Sequence, residues 1–427
     1  RDSHYILLKL VFSPLTETQI RSVALLATAD AISGNLTIQF EISKIDVPYV
    51  DPSLPSHLQA YDKPILVPLG WLNWCLSLNS VHLFDIRLGA AYCLQAYFKH
   101  NQESKMAFLN DQISAYSNED FYRNLKEDLP QLNGSTVATP FGDVFKVLMD
   151  YDSELKLNPY KVWFAAVILM YAFEDEPENK DIARALKTGD ADAGEEVMTS
   201  VQAISGLLIT TLNHMDQRIA IGYLMLLTIW LYEDFNAVND FLKDESIVKS
   251  LLNSLSHNSS GESLLVHGMT AILLGVLYEF SSKESPVSRK DLHALLVKSL
   301  GKDNYSLKVK QLLADPVFKF FDETLNFTSI QDESGLPDVY FDSIYVNLVK
   351  ENSFRIKRAL FHDPEGEPRR RISYEDIEEL DLRISELKKE MHEEKQKNLE
   401  NESTMRSKIK ELETLKDVLQ QRLTTSE

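Results

Sequence analysis

Residues 84–92 read FDIRLGAAY, and residues 215–223 read MDQRIAIGY. In both stretches an Asp stands two residues before an Arg and seven before a Tyr, with small and apolar residues around them. A catalytic motif is normally used once in a domain, whereas a structural unit that stacks on copies of itself recurs along the chain. The repeated stretch therefore predicts a helical repeat.

Each copy opens a helix that is apolar on two sides, over 84–98 in the first case and 219–232 in the second. Such a helix has to be covered on both flanks, as an inner helix is when it packs between its predecessor and its successor. Helical apolar spacing also occurs at 20–32, 162–173, 201–212, 264–280 and 292–300. Strand signals are few. The predicted fold class is all-α, with an irregular armadillo-like helical-repeat solenoid.

The charged residues of the two copies are predicted to pack repeat against repeat. Asp85 and Asp216 are placed as N-caps. Arg87 and Arg218 fall in the first turn, where a cation opposes the helix dipole at a cost of about 0.3 kcal/mol. Asp85 is a poor partner for Arg87, because residues two apart on a helix do not face each other. We expect each Arg to reach the carbonyl-rich end, or a carboxylate, of the preceding repeat; an ordinary solvated Arg is the alternative.

Looser copies of the helix start occur at Arg21 and Lys161. The anchors at residues 21, 87, 161 and 218 are 66, 74 and 57 residues apart. An ordinary armadillo or HEAT period is about 40–47 residues. The repeats are therefore predicted to be irregular and to carry insertions.

The composition changes abruptly near residues 361–371, where FHDPEGEPRRR carries two prolines and a charge cluster. We predict a head over 1–361, a hinge over 362–375 and the start of a coiled-coil tail over 376–427. The first residues are already in an apolar pattern and lack Met, so we expect a fragment, with the head being the C-terminal part of a larger one.

A heptad register predicts the dimer seam of this tail, with the solenoid followed by a parallel dimeric coiled coil. The predicted seam residues are Ile377, Leu380, Ile384, Leu387, Met391, Asn398, Met405, Leu412, Leu415 and Leu419. The middle of the register is poor, because Glu394, Asn401 and Lys408 fall at its d positions. Asn398 at an a position favours two parallel strands. Three flanking charge pairs between chains attract and two repel, so an in-register homodimer is favoured only weakly over a lone solvated helix.

The charge limits the classes of partner. The net charge is −20, and the residues from Pro368 onward contribute 13 Lys+Arg against 15 Asp+Glu, which leaves −18 on the first 367 residues. An acidic head repels phosphate backbones, so no nucleic-acid partner is expected. No apolar run has the length of a membrane span. Two cysteines do not make a disulfide framework.

A search for chemistry gives no catalytic or cofactor motif. The sequence has no phosphate-binding glycine loop, no His-Glu-x-x-His pattern and no Gly-x-Ser-x-Gly elbow. We predict that the protein is not an enzyme, with no catalytic, cofactor-binding or metal-binding residue.

Four blocks resemble one known family. They are HLFDIRLGAAYCLQAYFKHNQ (82–102), QRIAIGYLMLLTIWLYEDFNAVNDFL (217–242), VHGMTAILLGVLYEF (266–280) and YFDSIYVNLVKENSFRIKRALF (340–361). In this order, followed by heptads, they are similar to the second half of the head of the general vesicular transport factor family, and the details are nearer to its fungal members. The resemblance covers roughly residues 65–420.

The resemblance implies a vesicle-tethering factor in endoplasmic reticulum to Golgi transport that docks vesicles before SNARE-mediated fusion. It implies a cytoplasmic homodimer, peripheral on Golgi and transport-vesicle membranes, with a Rab-family GTPase, SNAREs and Golgi or vesicle proteins as partners. The alternative is an armadillo-plus-coiled-coil cytoskeletal regulator of the formin type, in which the same parts would inhibit a catalytic domain.

Overall fold

A computed structural model describes residues 3–59, 64–117, 143–192, 194–212, 216–256, 264–322, 335–336, 341–366 and 374–424. Contacts within the chain divide it into two units, Arg1–Pro368 and Arg369–Glu427. The first unit contains the predicted head, and the second contains the predicted tail. Residues 367–373, in the middle of the predicted hinge, lie outside the described part.

The described part of the first unit is a succession of helices. Helices α1 to α7 span Ser3–Val11, Thr18–Ile32, Leu36–Ile42, Val67–Ser77, Phe84–Phe98, Gln102–Ser117 and Asp143–Met149. Helices α8 to α13 span Tyr160–Phe173, Pro177–Ala185, Ser200–Leu212, Gln217–Leu231, Phe235–Leu242 and Glu245–Ser256. Helices α14 to α19 span Leu264–Glu279, Arg289–Ser299, Lys302–Ala314, Pro316–Lys319, Ser343–Glu351 and Ser353–Lys357.

Strand structure in the described residues is limited to two short antiparallel pairs. The strands β1 to β4 are Asp46–Pro48, Pro64–Leu66, Lys187–Thr188 and Met198–Thr199. β1 pairs with β2, and β3 pairs with β4. Each pair closes a connection between helices, so no sheet contributes a layer to the core.

The helices α2, α5, α8, α11, α14 and α16 pack on one another in the order of the chain. We call them the inner helices. Nearly every side chain of α8, α11 and α14 is buried, because each of these helices has a neighbour on both flanks. At Gly222 a Cβ atom would lie 3.0 Å from the Cα atom of Trp163, so only glycine lets α11 approach α8 this closely. The predicted all-α repeat architecture is confirmed.

The described part of the second unit is one helix, α20, over Tyr374–Thr424. Its side chains from Leu382 to Leu423 are all exposed. At about 1.5 Å per residue, its 51 residues make a rod of roughly 75 Å. The predicted tail is therefore one continuous helix throughout its described length.

Candidate functional site

The predicted repeat-packing residues lie at the starts of inner helices, and Arg87 is the most deeply buried of them. It is 1% exposed. Its Nε and Nη2 donate to the carbonyl oxygen of Cys75, at 3.0 and 2.9 Å, in the last turn of α4. Its Nη1 donates to Asn158 Oδ1 at 3.0 Å, and the guanidinium lies 4.7 Å from the ring centre of Phe164. Burial lowers the pKa of Arg87 to about 9, so the side chain is still a cation at neutral pH.

Arg21 shows the same arrangement one repeat earlier. Its Nη2 donates to the carbonyl oxygens of Ser13 and Thr16, at 2.7 and 3.0 Å, in the connection from α1 to α2. The side chain is 3% exposed, and burial lowers its pKa to about 10. Lys161 differs, because it makes a half-exposed ion pair with Asp152 at 3.4 Å. The two buried arginines thus bind main-chain carbonyls that precede their own helix. For Arg87 the carbonyl lies in the last turn of α4, where the field of a helix C-terminus favours a cation.

Asp85 does not cap its helix, so that prediction is wrong. A 3₁₀ turn over Val81–Leu83 runs directly into α5, which makes Leu83 the N-cap and places Asp85 inside the first turn. A carboxylate in the first turn still interacts favourably with the helix dipole. Partial burial raises the pKa of Asp85.

Asp216 is the N-cap of α11, and its Oδ1 accepts from the backbone N–H of Arg218 at 2.9 Å. The same carboxylate accepts two bonds from the Arg218 guanidinium, at 2.9 and 2.6 Å. The rule that residues two apart do not face each other fails here, because Asp216 lies outside the helix with an extended backbone. The guanidinium also lies 5.3 Å from the ring centre of Tyr160 in α8. Arg218 therefore ties its own helix start to the preceding inner helix.

A second set of polar residues, which the sequence reasoning missed, binds the other ends of the inner helices. Gln39 Nε2, Lys105 Nζ and Lys180 Nζ donate to the carbonyl oxygens of Lys99, Glu174 and Tyr232, at 3.1, 2.5 and 3.1 Å. The three acceptors are the C-cap residues of α5, α8 and α11. Each donor sits on the helix after one inner helix and reaches the C-cap of the next inner helix. We call these three contacts the staples.

The sequence carries a signal for the staples at the turns that follow the inner helices. Gly34, His100, Asp175 and Glu233 have φ between 56° and 69°, and each stands directly after a C-cap residue. Gln39, Lys105 and Lys180 each come five residues after one of them. His100, Asp175 and Glu233 adopt this conformation at a higher free-energy cost than glycine does. A polar residue five positions after such a turn is therefore the feature that the three staple donors share, and only Gly34 marks the turn in the sequence.

Replacing Lys105 by Met should lower the free energy of unfolding by about 1–3 kcal/mol, because the C-terminal carbonyl of α8 loses a buried charged donor. Lys105 is 3% exposed, and Met keeps most of its apolar stem. Chemical denaturation measures the change. Lys156→Met, at an exposed site, is the matched control and should change stability by no more than about 0.5 kcal/mol. Equal effects of the two substitutions would show that the staple contributes nothing.

The last inner helices hold the segment 353–362 through buried polar contacts. Glu279, 7% exposed at the end of α14, accepts from Arg355 Nε at 2.8 Å and pairs with His362 Nδ1 at 2.7 Å. Tyr278 Oη donates to the carbonyl oxygen of His362 at 2.8 Å, and Tyr305 Oη donates to that of Ile356 at 2.6 Å. Together with the bond from Arg289 Nε to the carbonyl oxygen of Asp363, at 3.4 Å, and the ion pair of Lys290 with Glu365, at 2.7 Å, these contacts place residues 362–365 on the head, past the predicted boundary at 361. We call residues 353–362 the closing segment.

Among the carboxylates of the described residues, Asp342 has the most strongly raised pKa. It is 5% exposed and caps α18, with Oδ1 accepting from the Ile344 N–H and Oδ2 from Tyr171 Oη, both at 2.9 Å. Burial raises the pKa of Asp342 to about 6, although both hydrogen bonds act in the opposite direction. It is enclosed by protein and faces no described cluster of metal-binding residues, so we assign it to the structure of the head.

The raised pKa predicts a pH dependence of stability. The folded pKa lies above the ordinary value of 3.8, so protonation favours the folded state. The contribution is complete below about pH 4 and is lost as the pH rises through 6. Relative to Asp342→Asn, the wild type should lose up to about 3 kcal/mol of unfolding free energy between pH 4 and pH 7. Urea denaturation at several pH values measures this difference, and parallel stability profiles would contradict the prediction.

The predicted dimer seam lies on α20. The seam residues Ile384, Leu387, Met391, Met405, Leu412, Leu415 and Leu419 are 47% to 68% exposed, and Asn398 is exposed as well. Ile377 and Leu380 belong to α20, but their side chains lie outside the described part. The row stays the predicted seam, which a partner helix would cover in a coiled coil.

The described residues hold no cluster of His, Cys, Asp or Glu that could bind a metal ion. Cys75 and Cys93 are fully buried, and burial raises the pKa of both thiols. Neither therefore supplies a thiolate nucleophile at neutral pH. Over the described ranges no helix is both long enough and apolar enough to pass through a bilayer.

Comparison with known proteins identifies the family. The family model described as "Uso1 / p115 like vesicle tethering protein, head region" matches residues 35–360. The chain belongs to this vesicle-tethering family. The match begins after α2, covers the inner helices α5, α8, α11, α14 and α16 with the three staples, and ends within the closing segment. The members of the family are transport factors rather than enzymes.

Two fungal relatives agree with this membership. The intracellular protein transport protein USO1 of Saccharomyces cerevisiae is 39% identical over 419 residues, which are 90% of this chain and 23% of that protein. The protein of the same description from Schizosaccharomyces pombe is 28% identical over 233 residues, 53% of this chain and 20% of its own length. The chain thus spans about a quarter of the curated relatives it matches. They give the formin-type alternative no support.

Solved structures show the same fold. The crystal structure of Uso1-1 aligns with a TM-score of 0.72 at 39% identity, over 85% of this chain and 53% of that chain. The crystal structure of Uso1-2 gives the same TM-score and identity. The helical stack described above is therefore that of a Uso1 head.

Proposed function

We propose that the protein tethers vesicles in endoplasmic reticulum to Golgi transport and docks them before SNARE-mediated fusion. The observation that carries the proposal is the match of residues 35–360 to the tethering head. In this proposal the protein acts by binding, without a catalytic step. We place it in the cytoplasm, peripheral on Golgi and vesicle membranes.

The tail supports this function if two copies pair along α20. Two heads on a shared rod bind a vesicle that displays many receptor copies more tightly than one head does, because the second contact is intramolecular. The proposed partners are a second copy through the coil, a Rab-family GTPase, SNAREs and Golgi or vesicle proteins.

The charge of the head favours partners with a basic face. The first 367 residues carry −18, from a total of −20 less the −2 of the remainder. Complementary charge raises the rate of encounter and falls off with salt. Binding of a physiological partner to the head should therefore weaken as ionic strength rises.

Tethering can be tested with vesicles derived from the endoplasmic reticulum and with Golgi membranes. Leu412→Asp places a charge in the seam, and we expect the variant to be a monomer by light scattering that retains fewer vesicles, by about tenfold or more. Ser407→Asp, on the outer face of the same helix, should behave as the wild type does. Equal vesicle retention by all three proteins would overturn the dimeric part of the proposal.

Recruitment is tested separately with early-secretory Rab proteins in both nucleotide states. We expect the full chain to retain the GTP-bound form of one of them and to release its GDP-bound form. Recovery of neither form would contradict Rab recruitment through this part of the protein. Leu412→Asp is the control, because it leaves the head unchanged.

A further inference from the structure

The sign of the charge changes at the C-terminal end of the head. Residues 1–288 carry 20 Lys+Arg against 36 Asp+Glu. The helices α15 and α16 and the closing segment, residues 289–314 and 353–362, carry nine Lys+Arg against two acids, Asp291 and Asp303. We call these residues the basic end. Six of the nine cations have no carboxylate partner among the described residues. They are Lys298, Lys302, Lys308, Lys310, Lys357 and Arg358.

The elements of the basic end adjoin one another. The closing segment packs on α16, where Tyr305 Oη donates to the carbonyl oxygen of Ile356. The closing segment also meets α15, because His293 Nε2 lies 3.0 Å from the carbonyl oxygen of Leu360. In the described part of the first unit no inner helix follows α16, so one stripe of that helix is exposed. The exposed stripe consists of Asp303, Asn304, Leu307, Lys310, Gln311 and Ala314.

Large apolar side chains are exposed among these cations. Phe354 is 69% exposed, Leu307 51% and Phe361 44%. The Arg358 guanidinium lies 5.4 Å from the ring centre of Phe354, and Lys302 Nζ lies 5.6 Å from that of Phe361. A terminal repeat needs a polar outer face for solubility. That need explains neither the single sign of the charge nor the exposed phenylalanines.

We propose that the basic end binds an anionic membrane surface directly. Its cations would meet the lipid phosphates, while Phe354 and Phe361 enter the headgroup level, where aromatic rings are favoured. The exposure of the rings favours a membrane over an acidic peptide, because a peptide-binding groove buries the apolar side chains that line it. The proposal goes beyond the proposed function, since this contact needs no protein on the membrane.

Vesicles of pure lipid test the contact with the full chain. We expect the protein to sediment with vesicles of phosphatidylcholine and about one-third phosphatidylserine, to remain in solution with phosphatidylcholine alone, and to be released by salt. The double variant Lys302→Gln with Lys310→Gln should bind the anionic vesicles about tenfold more weakly.

Lys156→Gln with Lys187→Gln is the matched control for charge. It removes two positive charges from exposed sites in earlier repeats and should change binding by less than about twofold, because salt screens distant charges. Equal losses in the two double variants would overturn the proposal. A wild type that binds soluble polyglutamate and not the anionic vesicles would also overturn it, since the ligand would then be an acidic peptide.

The fluorescence of an introduced tryptophan tests whether the ring enters the headgroup level. The emission of Phe354→Trp should shift to shorter wavelength on anionic vesicles, because the indole leaves water. The four native tryptophans are at most 2% exposed and should not respond. Tyr151→Trp, at a site that is 72% exposed in an earlier repeat, is the control and should show no shift. No shift at residue 354, or equal shifts at 354 and 151, would overturn the proposal.

Discussion

Arg87→Met is expected to lower the free energy of unfolding by about 3–5 kcal/mol, which is among the largest effects available from one side chain of the head. The substitution leaves the carbonyl oxygen of Cys75 without two donors and Asn158 Oδ1 without one, at a site that is 1% exposed. Buried acceptors that lose a charged donor retain their full cost of desolvation. The substitution also removes the cost of burying the guanidinium cation. However, Met supplies no donor to the two acceptors. Guanidinium chloride denaturation measures the difference.

Arg218→Met is the matched control. Its main partner, the carboxylate of Asp216, is 26% exposed and can return to water when the guanidinium is removed. Asp216 also keeps the helix cap, since the bond from the Arg218 backbone N–H does not involve the side chain. A loss of about 1 kcal/mol is expected. The geometry gives Arg87 and Arg218 different partners and therefore different structural roles. Equal losses of unfolding free energy at the two positions would contradict this difference.

The sequence could predict the inner helices because their apolar residues recur on two sides. The stretch 84–98 coincides with α5, and the predicted 162–173 and 219–232 differ from α8 and α11 by at most two residues at either end. Burial on both flanks leaves a pattern that no exposed helix or loop shares. The family resemblance rested on four sequence blocks in their order, and the match of residues 35–360 confirms it.

The polar contacts between repeats were harder to predict, because they depend on where a backbone turns. The misplaced cap at Asp85 follows from a 3₁₀ turn that the sequence does not mark. The ion pair of Asp216 with Arg218 requires a residue that has already left the helix. The staples join residues 52 to 69 positions apart, so no local pattern could show what Gln39, Lys105 and Lys180 bind.

Dimerisation would give the exposed row of α20 a partner. A helix with a mean hydropathy as low as this one gains little by folding alone, and a second chain adds the missing apolar contacts. The polar stretch near Asn398 costs stability in the dimer and limits sliding of one chain along the other. The proposed dimer would give one vesicle two heads to bind.

Gly275→Ala is expected to destabilise the protein by about 3–4 kcal/mol and to loosen the closing segment. A Cβ atom at this position of α14 would overlap the hydroxyl oxygen of Tyr305. Tyr305 is fully buried and donates through that oxygen to the carbonyl of Ile356, at 2.6 Å. The ring cannot move aside without breaking this bond, so overpacking adds to the loss of a buried hydrogen bond. Thermal or chemical denaturation measures the first effect.

Gly206→Ala is the control, and its expected effect on the free energy of unfolding has the opposite sign. Gly206 lies in α10, and a Cβ atom there would have no neighbour within 4 Å. Ala is a better helix former than Gly, so this variant should gain about 0.5–1 kcal/mol. Hydrogen exchange then locates the damage in Gly275→Ala, where residues 353–362 should exchange faster while those of α5 and α8 keep their relative protection. If both substitutions stabilised the protein, the close approach of Tyr305 to Gly275 would not be needed to hold the closing segment.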